Sequence, residues 1–600
     1  MIYITAILAY LLLLVGIGIY KSKQVKTQAD FAVAGRSLSP WVMVCTMLAV
    51  WIGTGSIVGN AGQAYRDGVA ALFIPLGSFI GMILLSQIAT KARNYEVYTV
   101  PEIISNRYGP VARMLAVLAL IMAYMVIVGY QFNAGGMVLE VIAGKKAPVP
   151  TEVGTSLTKH DVGQGYLVYE PDPNWIGTTT LGFQVKQAEI WSDEVHSYTI
   201  DVVAADQLID AVKRLEDQEA TNHIAIKQNS TARVIIAGHG ADADKQSKLY
   251  QVARVPSNGS LFLSQPKLSA GTATVIAALF IITYTMLAGL LSLAFADVVT
   301  GTVITLSLIV AFPVLLAKAG GFAGMEQAFI AMGDRPQHMQ FWGMYSPITL
   351  INFCLPVFLL VLGDANQYQR IFASRNAKGA KTAVTIMIFL ALGIELLIIA
   401  EAWIASSLIP DPNNGRYVLI YAAKHFMPLP LGILFLVTVV GIIISTADSF
   451  LLVPATTFIK DVYQVYINPK ADERRIVMLS RFLVLIFGVI AYVVSLAFAE
   501  STTVFRKALY AFTIYGAAIT PCLVAALFWK RATSAGAVTS ILSGTIVALV
   551  WEELAIIKNS LPGNLSELDA VLPAMTVSVA SLVIVSLLTE KSKPQDSPTE

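Results

Sequence analysis

The chain has 600 residues, of which 56% are hydrophobic and only 13% are charged, whereas an ordinary soluble domain has roughly 25% charged residues. This composition predicts a polytopic membrane protein. The formal net charge of +2 argues against nucleic acid as a partner, because no concentrated basic surface is available to neutralise phosphates. Cys45, Cys354 and Cys522 lie in apolar stretches without CxxC or Cys/His spacing, which indicates neither a disulfide framework nor a zinc site.

About thirteen apolar stretches are each long enough to cross roughly 30 Å of hydrocarbon. They are residues 2–20, 39–65, 69–90, 114–143, 270–296, 298–317, 344–363, 382–407, 430–459, 477–499, 508–529, 533–556 and 571–589. The first has no basic segment before it, so we interpret it as a retained helix rather than a signal peptide. Lysine and arginine are more frequent in alternate loops, among which we count Arg370. The positive-inside rule therefore predicts an N-terminus outside and a C-terminus in the cytoplasm.

Residues 145–268 interrupt the apolar pattern with a composition typical of a soluble domain. We expect four parts: a first transmembrane part over 1–144, an extracytoplasmic insert over 145–268, a second transmembrane part over 269–590 and a cytoplasmic tail over 591–600. β-forming runs between turn signals predict a small β-rich sandwich, and QLIDAVKRLEDQE predicts a helix. The runs YEPDPNWIGTTTLGFQV and YQVARVPSNGSLFL loosely resemble cadherin-like and immunoglobulin-like surface domains. An extracytoplasmic partner for the insert is one hypothesis.

A polar cluster interrupts the apolar stretch GIIISTADSFLLVPATTFIKD. Ser445, Asp448 and Ser449 fall on one helix face, with Thr446 beside them, because positions i, i+3 and i+4 are neighbours. Polar groups at this depth normally face a bundle interior or a cavity. Their oxygens are hard ligands that suit Na⁺. The alternative is that the hydroxyls only bond back to carbonyls one turn earlier.

Two apolar stretches contain helix-breaking signals. LAVWIGTGSIVGN carries Gly53, Gly55 and Gly59, which favour an unwound segment whose carbonyls can coordinate a cation. The alternative is close helix packing through the spacing of Gly55 and Gly59. In LVLGDANQYQR, Gly363 and Asp364 follow an apolar run. The two breaks open spans two to six and seven to eleven, which predicts an all-α membrane protein with a 5+5 inverted repeat, one extra N-terminal helix and two extra C-terminal helices.

Seven motifs carry a resemblance to a known family: FAVAGRSLSPW, AVWIGTGSIVGNAGQAY, TVPEIISNRYG, GYQFNAGG, LAGLLSLAFADVVTG, GDANQYQRIFASR and ISTADSFLLVPATTFIKDVY. They are similar to the sodium:solute symporter family, which has the leucine-transporter fold. The resemblance implies a sodium site formed by the carbonyls of Ala49, Ile52 and Ile442 and the hydroxyls of Ser445 and Thr446. Some members bind another sodium ion, and the matching candidates are Asp297, Ser445, Asp448 and Ser449. Ala296 stands where the family usually has threonine.

The resemblance also implies a substrate pocket beside the sodium, at the two helix breaks. The candidates are Trp51, Tyr130, Gln131 and Asp364. Trp51 stands where choline-type relatives have tryptophan and proline-type relatives have aspartate, so its ring is expected to stack on a solute or hold a cation. Asp364 is a candidate partner for an amine, although choline carriers have an aromatic residue there. The alternatives are that Trp51 is packed core and that Asp364 caps a helix.

We therefore expect a sodium-coupled secondary active symporter of a bacterial inner membrane that imports a small polar organic solute, such as an amine or amino acid, by alternating access. Na⁺ is the coupling ion, and no cofactor is expected. No nucleophile elbow, P-loop or metalloprotease motif indicates an enzyme. Two alternatives are a transporter-like solute sensor and a membrane-anchored adhesion or assembly module that acts through the insert.

Overall fold

The computed structural model describes residues 2–146, 148–158, 161–162, 166–187, 190–192, 194–204, 207, 211, 215, 222–230, 232–234, 249–332, 336–409, 415, 417–497, 503–551 and 566–590. The chain divides into two compact units. The helical unit comprises Met1–Leu139, Ala270–Met325 and Gln337–Glu600, and the insert unit comprises Glu140–Ser269 with Glu326–Pro336.

The α-helices within the described residues are, in chain order, α1 Ile2–Ser22, α2 Gln28–Val33, α3 Pro40–Trp51, α4 Ala61–Asp67, α5 Leu76–Arg93, α6 Val100–Tyr108, α7 Pro110–Ala143, α8 Ala270–Ala288, α9 Leu290–Lys318, α10 Gly321–Met332, α11 Pro347–Gly363, α12 Ala365–Ala373, α13 Ala377–Leu408, α14 Val418–His425, α15 Leu429–Phe458, α16 Glu473–Ala497, α17 Val504–Phe528, α18 Ser534–Val550 and α19 Val571–Thr589. The 3₁₀ segments are Ala34–Arg36, Gly68–Phe73 and Pro336–Met339, and the π-helical segments are Gly55–Asn60 and Ile459–Ile467.

Within the described residues, ten helical spans are long and apolar enough to cross a membrane, or up to eleven if the bent pair Pro40–Trp51 and Gly55–Phe73 is one span. The bend between the members of this pair is 49°. The predicted span 69–90 corresponds to α5, which ends with two basic residues. The predicted span 533–556 corresponds to α18, which has 17 residues. Each predicted span thus has a helix, and the number that cross the membrane stays a prediction.

One predicted helix boundary is wrong. The apolar stretches predict one span over 270–296 and the next over 298–317. In the structure the chain breaks earlier, at Gly289, and Asp297 is buried well inside α9. Gly289 has φ +85°, and a Cβ there would lie 2.9 Å from the ring of Phe31. The turn therefore requires glycine, and this requirement fixes where α9 begins.

The bundle contains two interrupted helices. The first is α3 followed by the π-helical segment Gly55–Asn60 and α4, and the second is α11 followed by α12. Each opens a series of five spans, which end with α9 and with α17. Helices α1, α18 and α19 are additional to these two series. The arrangement is the helical class that the two glycine-containing breaks predicted.

The insert unit is rich in β-strands. They are β1 Val149–Pro150, β2 Ser156–Thr158, β3 Leu167–Glu170, β4 Gly177–Gln187, β5 Ile190–Trp191, β6 His196–Val203, β7 His223–Lys227, β8 Ala232–Val234, β9 Leu249–Arg254 and β10 Ser260–Leu263. One sheet has the order β1-β10-β3-β8, and the other has the order β2-β9-β4-β6-β7 with β5 paired to β4. All pairs are antiparallel except β6 with β7.

The two sheets share one hydrophobic core. It contains Leu167 and Tyr169 from the first sheet and Leu181, Ile200 and Val252 from the second. Alternate residues of the longer strands β4, β6 and β9 face this core, as expected for a sandwich. The helix predicted for QLIDAVKRLEDQE falls, apart from positions 207, 211 and 215, outside the described residues, as does the predicted tail 591–600.

Candidate functional site

The break after α3 exposes backbone carbonyls inside the bundle. Ile52 leaves the helix in an extended conformation with φ −75° and ψ 93°, and Gly53 accepts hydrogen bonds from Ser56 and Ile57. The last turn of any helix leaves carbonyl groups without amide partners. The residues from Ala49 to Ile52 therefore present oxygens that another helix or a ligand can satisfy.

Ser445 and Thr446 on α15 face these carbonyls. Ser445 Oγ lies 3.2 Å from the carbonyl oxygen of Ala49, and Thr446 Oγ1 lies 3.4 Å from those of Val50 and Ile52. At these separations the hydroxyls donate hydrogen bonds to the carbonyls, so five oxygens from α3 and α15 lie together at the break. Such hard oxygen ligands are of the type that Na⁺ prefers. The sequence analysis did not select Val50, whose carbonyl belongs to the same group.

The remaining sodium candidate, Ile442, lies one turn before Ser445 and Thr446 on α15 and is fully buried. Gly53 in the first helix break packs closely against the side chains of Thr446 and Gln131. A Cβ at this position would lie 3.0 Å from Thr446 Cγ2 and 3.3 Å from Gln131 Nε2. Glycine therefore allows the break to approach α15.

The alternative that Gly55 and Gly59 serve close helix packing agrees with the surroundings of Gly59 but not with those of Gly55. A Cβ on Gly59 would lie 3.3 Å from the backbone of Phe505, whereas a Cβ on Gly55 would have only Ala508 nearby, at 3.8 Å. Gly59 thus permits close approach of α17. Both glycines lie in the π-helical segment that continues the break.

Asp297 on α9 connects the two helices of this site. Its carboxylate accepts hydrogen bonds from Ser445 Oγ at 2.6 Å and from Thr46 Oγ1 at 2.5 Å. Asp448 and Ser449 follow on α15, with Ser449 Oγ 3.4 Å from Asp448 Oδ1. The four candidates for a second sodium are therefore buried in one region of the bundle.

A buried guanidinium enters this second cluster. Arg370 on α12 is fully buried; its Nη2 donates to Ser449 Oγ at 2.6 Å, and its Nε donates to Thr46 Oγ1 at 3.2 Å. Nη2 also lies 3.9 Å from Asp297 Oδ2. The assignment of Arg370 to a loop was wrong, because α12 continues the chain after the second break and packs into the bundle. The sequence analysis missed its contacts because they depend on that packing.

The four substrate candidates line one cavity. Trp51, Tyr130, Gln131 and Asp364 surround it together with Thr446, and its water-accessible volume is about 60 Å³, which is room for several waters. Gln131 Oε1 accepts a hydrogen bond from Thr54. The ion-site candidates and the substrate candidates are thus neighbours through Thr446.

Asp364 occupies the second helix break. It caps α12, where its Oδ1 accepts hydrogen bonds from the backbone amide of Asn366 at 3.1 Å and from Tyr124 at 2.6 Å. The capping alternative therefore describes its local contacts, and the residue also lines the cavity. Asp364 is buried inside the bundle, with 1% of its surface exposed.

Glu395 is a lining residue that the sequence analysis missed. It lies on α13, is 4% exposed and accepts a hydrogen bond from Trp51 Nε1 at 2.8 Å. Trp51 is therefore not only packed core. The signal was available, because an acidic residue within a long apolar stretch such as ALGIELLIIAEAW is costly and usually functional.

Comparisons with known proteins agree with this architecture. A model of the sodium:solute symporter family matches residues 31–149 and 248–544, and the gap between these segments falls within the insert unit. The osmoregulated proline transporter OpuE of Bacillus subtilis is 26% identical over 350 residues, which cover 57% of this chain and 68% of the relative. A sodium/proline symporter of Haemophilus influenzae is 25% identical over 365 residues, which cover 57% and 69%.

A solved structure shares the fold. A Na⁺-coupled sialic acid symporter, in a substrate-bound outward-open state, aligns with a TM-score of 0.65 and 14% sequence identity, and the alignment covers 98% of both chains. At this identity the likeness concerns the fold alone.

Proposed function

This chain belongs to the sodium:solute symporter family, so it is a sodium-coupled symporter and not an enzyme, and we propose that it imports a small polar amine or amino acid by alternating access. The observation that carries the proposal is the position of Thr446. Its hydroxyl lies 3.4 Å from the carbonyl oxygen of Ile52, and the residue also lines the cavity beside Trp51 and Gln131. An ion and a solute bound there would each favour the helix arrangement that the other needs.

In this proposal the coupling ion binds where α3 and α15 meet. Its ligands are the carbonyls of Ala49, Ile52 and Ile442 and the hydroxyls of Ser445 and Thr446, with Val50 as an additional carbonyl. Because these oxygens belong to two helices, a conformation that separates the helices binds the ion less well. Such differential affinity is required, since an ion with equal affinity for both conformations shifts neither population.

We assign a single coupling ion. The second cluster, formed by Asp297, Ser445, Asp448 and Ser449, includes the buried guanidinium of Arg370. Two unit charges about 4 Å apart repel by about 4 kcal/mol at an effective dielectric constant of about 20. This repulsion offsets the attraction of one of the two carboxylates. Arg370 also occupies the hydroxyls of Ser449 and Thr46, which are then less available to a second sodium ion.

The solute binds in the adjoining cavity between the two helix breaks. Trp51, Tyr130, Gln131 and Asp364 provide aromatic surface, hydrogen-bonding groups and negative charge there. Relatives described as proline transporters support an amino acid as solute. Proline is therefore among the first compounds to test, together with other amino acids and small amines.

The orientation in the membrane follows the distribution of basic residues in the loops. We place the chain in a bacterial inner membrane with the N-terminus outside and the C-terminus in the cytoplasm, which puts the insert outside. Solute and Na⁺ then bind from the exterior and leave towards the cytoplasm.

Reconstituted protein tests this proposal. Purified full-length chain in proteoliposomes is given radiolabelled proline, other amino acids, amines, organic acids and sugars, with an inward Na⁺ gradient or with K⁺ in place of Na⁺. We expect accumulation of at least one amine or amino acid that requires the Na⁺ gradient and is lost when an ionophore collapses it. Accumulation that is equal in K⁺ would contradict sodium coupling.

A further inference from the structure

Glu395 is a buried carboxylate that has no basic partner within the part of the chain that the structure describes. Its Oε1 accepts from Trp51 Nε1 at 2.8 Å, and its Oε2 accepts from Ser78 Oγ at 3.2 Å. The Ser56 hydroxyl also interacts with it. Among the described residues, no lysine or arginine forms an ion pair with Glu395 or lines the cavity that it faces. Neutral donors alone compensate a buried carboxylate only in part.

Asp364, the other carboxylate of the cavity, is already compensated by the protein. It lies at the N-terminus of α12, where the helix dipole favours negative charge, and it accepts hydrogen bonds from the backbone amide of Asn366 and from Tyr124. It also interacts electrostatically with Arg370. A solute cation therefore has less to gain beside Asp364 than beside Glu395.

Two further lining residues indicate the form of the ligand. Trp51 and Glu395 line the cavity together, with the carboxylate at the edge of the ring where Nε1 donates to it, so a cation in the cavity would be attracted by both groups. Gln131 is fully buried and lines the same cavity, and among the described residues its Nε2 makes no hydrogen bond of good geometry, although its side chain interacts with the hydroxyl of Tyr130. It can donate to a hydroxyl, carbonyl or carboxylate oxygen of the ligand.

We infer that Glu395, and not Asp364, binds the ammonium group of the transported solute, which carries a positively charged nitrogen together with an oxygen acceptor for Gln131. The inference rests on the proposed function, because it identifies the chemical class of the solute in the same cavity. A solute with a carboxylate but no ammonium group would place its negative charge among acidic lining groups, so such compounds are excluded.

The first arm of the test uses the unmodified protein. Proteoliposomes receive proline, prolinol and other amino acids and amino alcohols, each paired with its N-acetyl derivative, and Na⁺-driven uptake is measured for both members of every pair. We expect uptake only of members with a protonatable nitrogen. Na⁺-driven uptake of an N-acetyl derivative, an organic acid or a sugar at the rate of the best amine would overturn the inference while leaving the symporter assignment intact. Absence of Na⁺-driven uptake for every compound would overturn both.

The second arm compares two isosteric substitutions, Glu395→Gln and Asp364→Asn. For the best amine substrate we expect Glu395→Gln to lower kcat/KM by at least about 30-fold, as removal of one member of a buried charge pair does, and Asp364→Asn to lower it by less. An equal or larger loss in Asp364→Asn would overturn the inference.

Thermal unfolding in detergent distinguishes a misfolded variant from a folded variant that has lost solute binding. Glu395→Gln should keep the stabilisation by Na⁺ and lose the further stabilisation by the amine. Retention of amine stabilisation would overturn the inference. If Glu395→Gln does not fold, the N-acetyl pairs in the unmodified protein still test the need for a protonatable nitrogen. Asp364→Asn then tests the residue, because a loss of kcat/KM of about 30-fold or more in that variant would overturn the inference.

Discussion

Arg370 donates a hydrogen bond from Nη2 to Ser449 Oγ at 2.6 Å, which brings a permanent positive charge into the cluster that contains Asp297 and Asp448. The guanidinium interacts electrostatically with both carboxylates and with Asp364. Removing one member of such a buried set leaves an uncompensated charge, which typically costs about 3–5 kcal/mol. Arg370 is thus both a structural element and a competitor for any second cation.

We expect the unmodified protein to take up one Na⁺ per solute, with a Hill coefficient for Na⁺ close to unity. Arg370→Gln should raise this coefficient in the protein that still folds, because the cluster then loses the positive charge of Arg370 and has room for a cation. The flux ratio of radioactive Na⁺ to solute measures the effect. Arg375→Gln is the matched control, because Arg375 is exposed and donates to the carbonyl of Ser37. More than one Na⁺ per solute in the unmodified protein would contradict the single-ion assignment.

Ser445→Ala and Thr446→Ala should weaken Na⁺ dependence far more than they disturb folding. Each removes an oxygen proposed to contact the ion, and hydrogen bonds or contacts to charged groups contribute about 1.5–3 kcal/mol. We therefore expect the Na⁺ concentration for half-maximal uptake to rise by about 10-fold or more.

The control for this pair is Thr285→Ala. Thr285 is fully buried, and its hydroxyl bonds back to the carbonyl of Ile281 at 2.8 Å, as the alternative interpretation of Ser445 and Thr446 supposed. It should have normal Na⁺ activation. Normal activation in both Ser445→Ala and Thr446→Ala would refute the site.

Gly53→Ala should weaken Na⁺ activation, whereas Gly55→Ala should not. The added Cβ at position 53 would lie 3.1 Å from Thr446 Oγ1 and 3.3 Å from Gln131 Nε2, so the side chain that supplies a proposed ion ligand would have to shift by a few tenths of an ångström. At position 55 it would have only Ala508 within 4 Å. The measurement is the Na⁺ dependence of uptake for both variants. An equal effect would indicate that general helix packing, and not the ion site, sets the requirement for glycine.

The sequence predicted the parts of the site that depend on local spacing. Gly53 and Gly55 marked the first break, Gly363 and Asp364 marked the second, and Ser445 with Thr446 marked the facing helix. Helix breaks and one-sided polar faces are properties of short segments, so a single sequence contains enough information to locate them. The order of the two broken helices in the chain also predicted the repeat.

The contacts of Arg370 and Glu395 could not be predicted in this way. Arg370 follows a helix break, and by sequence alone such a residue looks like a loop cation. Only the packing of α12 against α3 and α15 brings it to Thr46 and Ser449. Glu395 was visible as an intramembrane acid, but its partner Trp51 is 344 residues away in the chain. Similarly, Asp297 interrupts an apolar pattern without ending a helix, because its charge is compensated by other helices.

Residues 147–264 form the continuous β-rich part of the insert unit, and they can be deleted cleanly because the chain segments on either side of them already meet. The backbone amide of Lys146 donates to the carbonyl of Gln265 at 2.8 Å, and that of Lys267 donates to the carbonyl of Gly144 at 2.9 Å. The unit also has its own hydrophobic core. Replacing residues 147–264 by a short glycine-serine linker should therefore leave the Na⁺-driven uptake rate per molecule within about twofold of the full chain, as expected when an independent domain is removed at adjacent ends.

The control for the deletion is a variant that keeps the insert but carries Thr446→Ala. If the helical unit alone performs transport, the deletion variant takes up solute with normal Na⁺ dependence, and Thr446→Ala does not. Loss of uptake in a correctly folded and inserted deletion variant would contradict the prediction that the helical unit alone performs transport, because the insert would then be required. Uptake rates are normalised to the amount of protein in the proteoliposomes, so that a change in expression is not read as a change in activity.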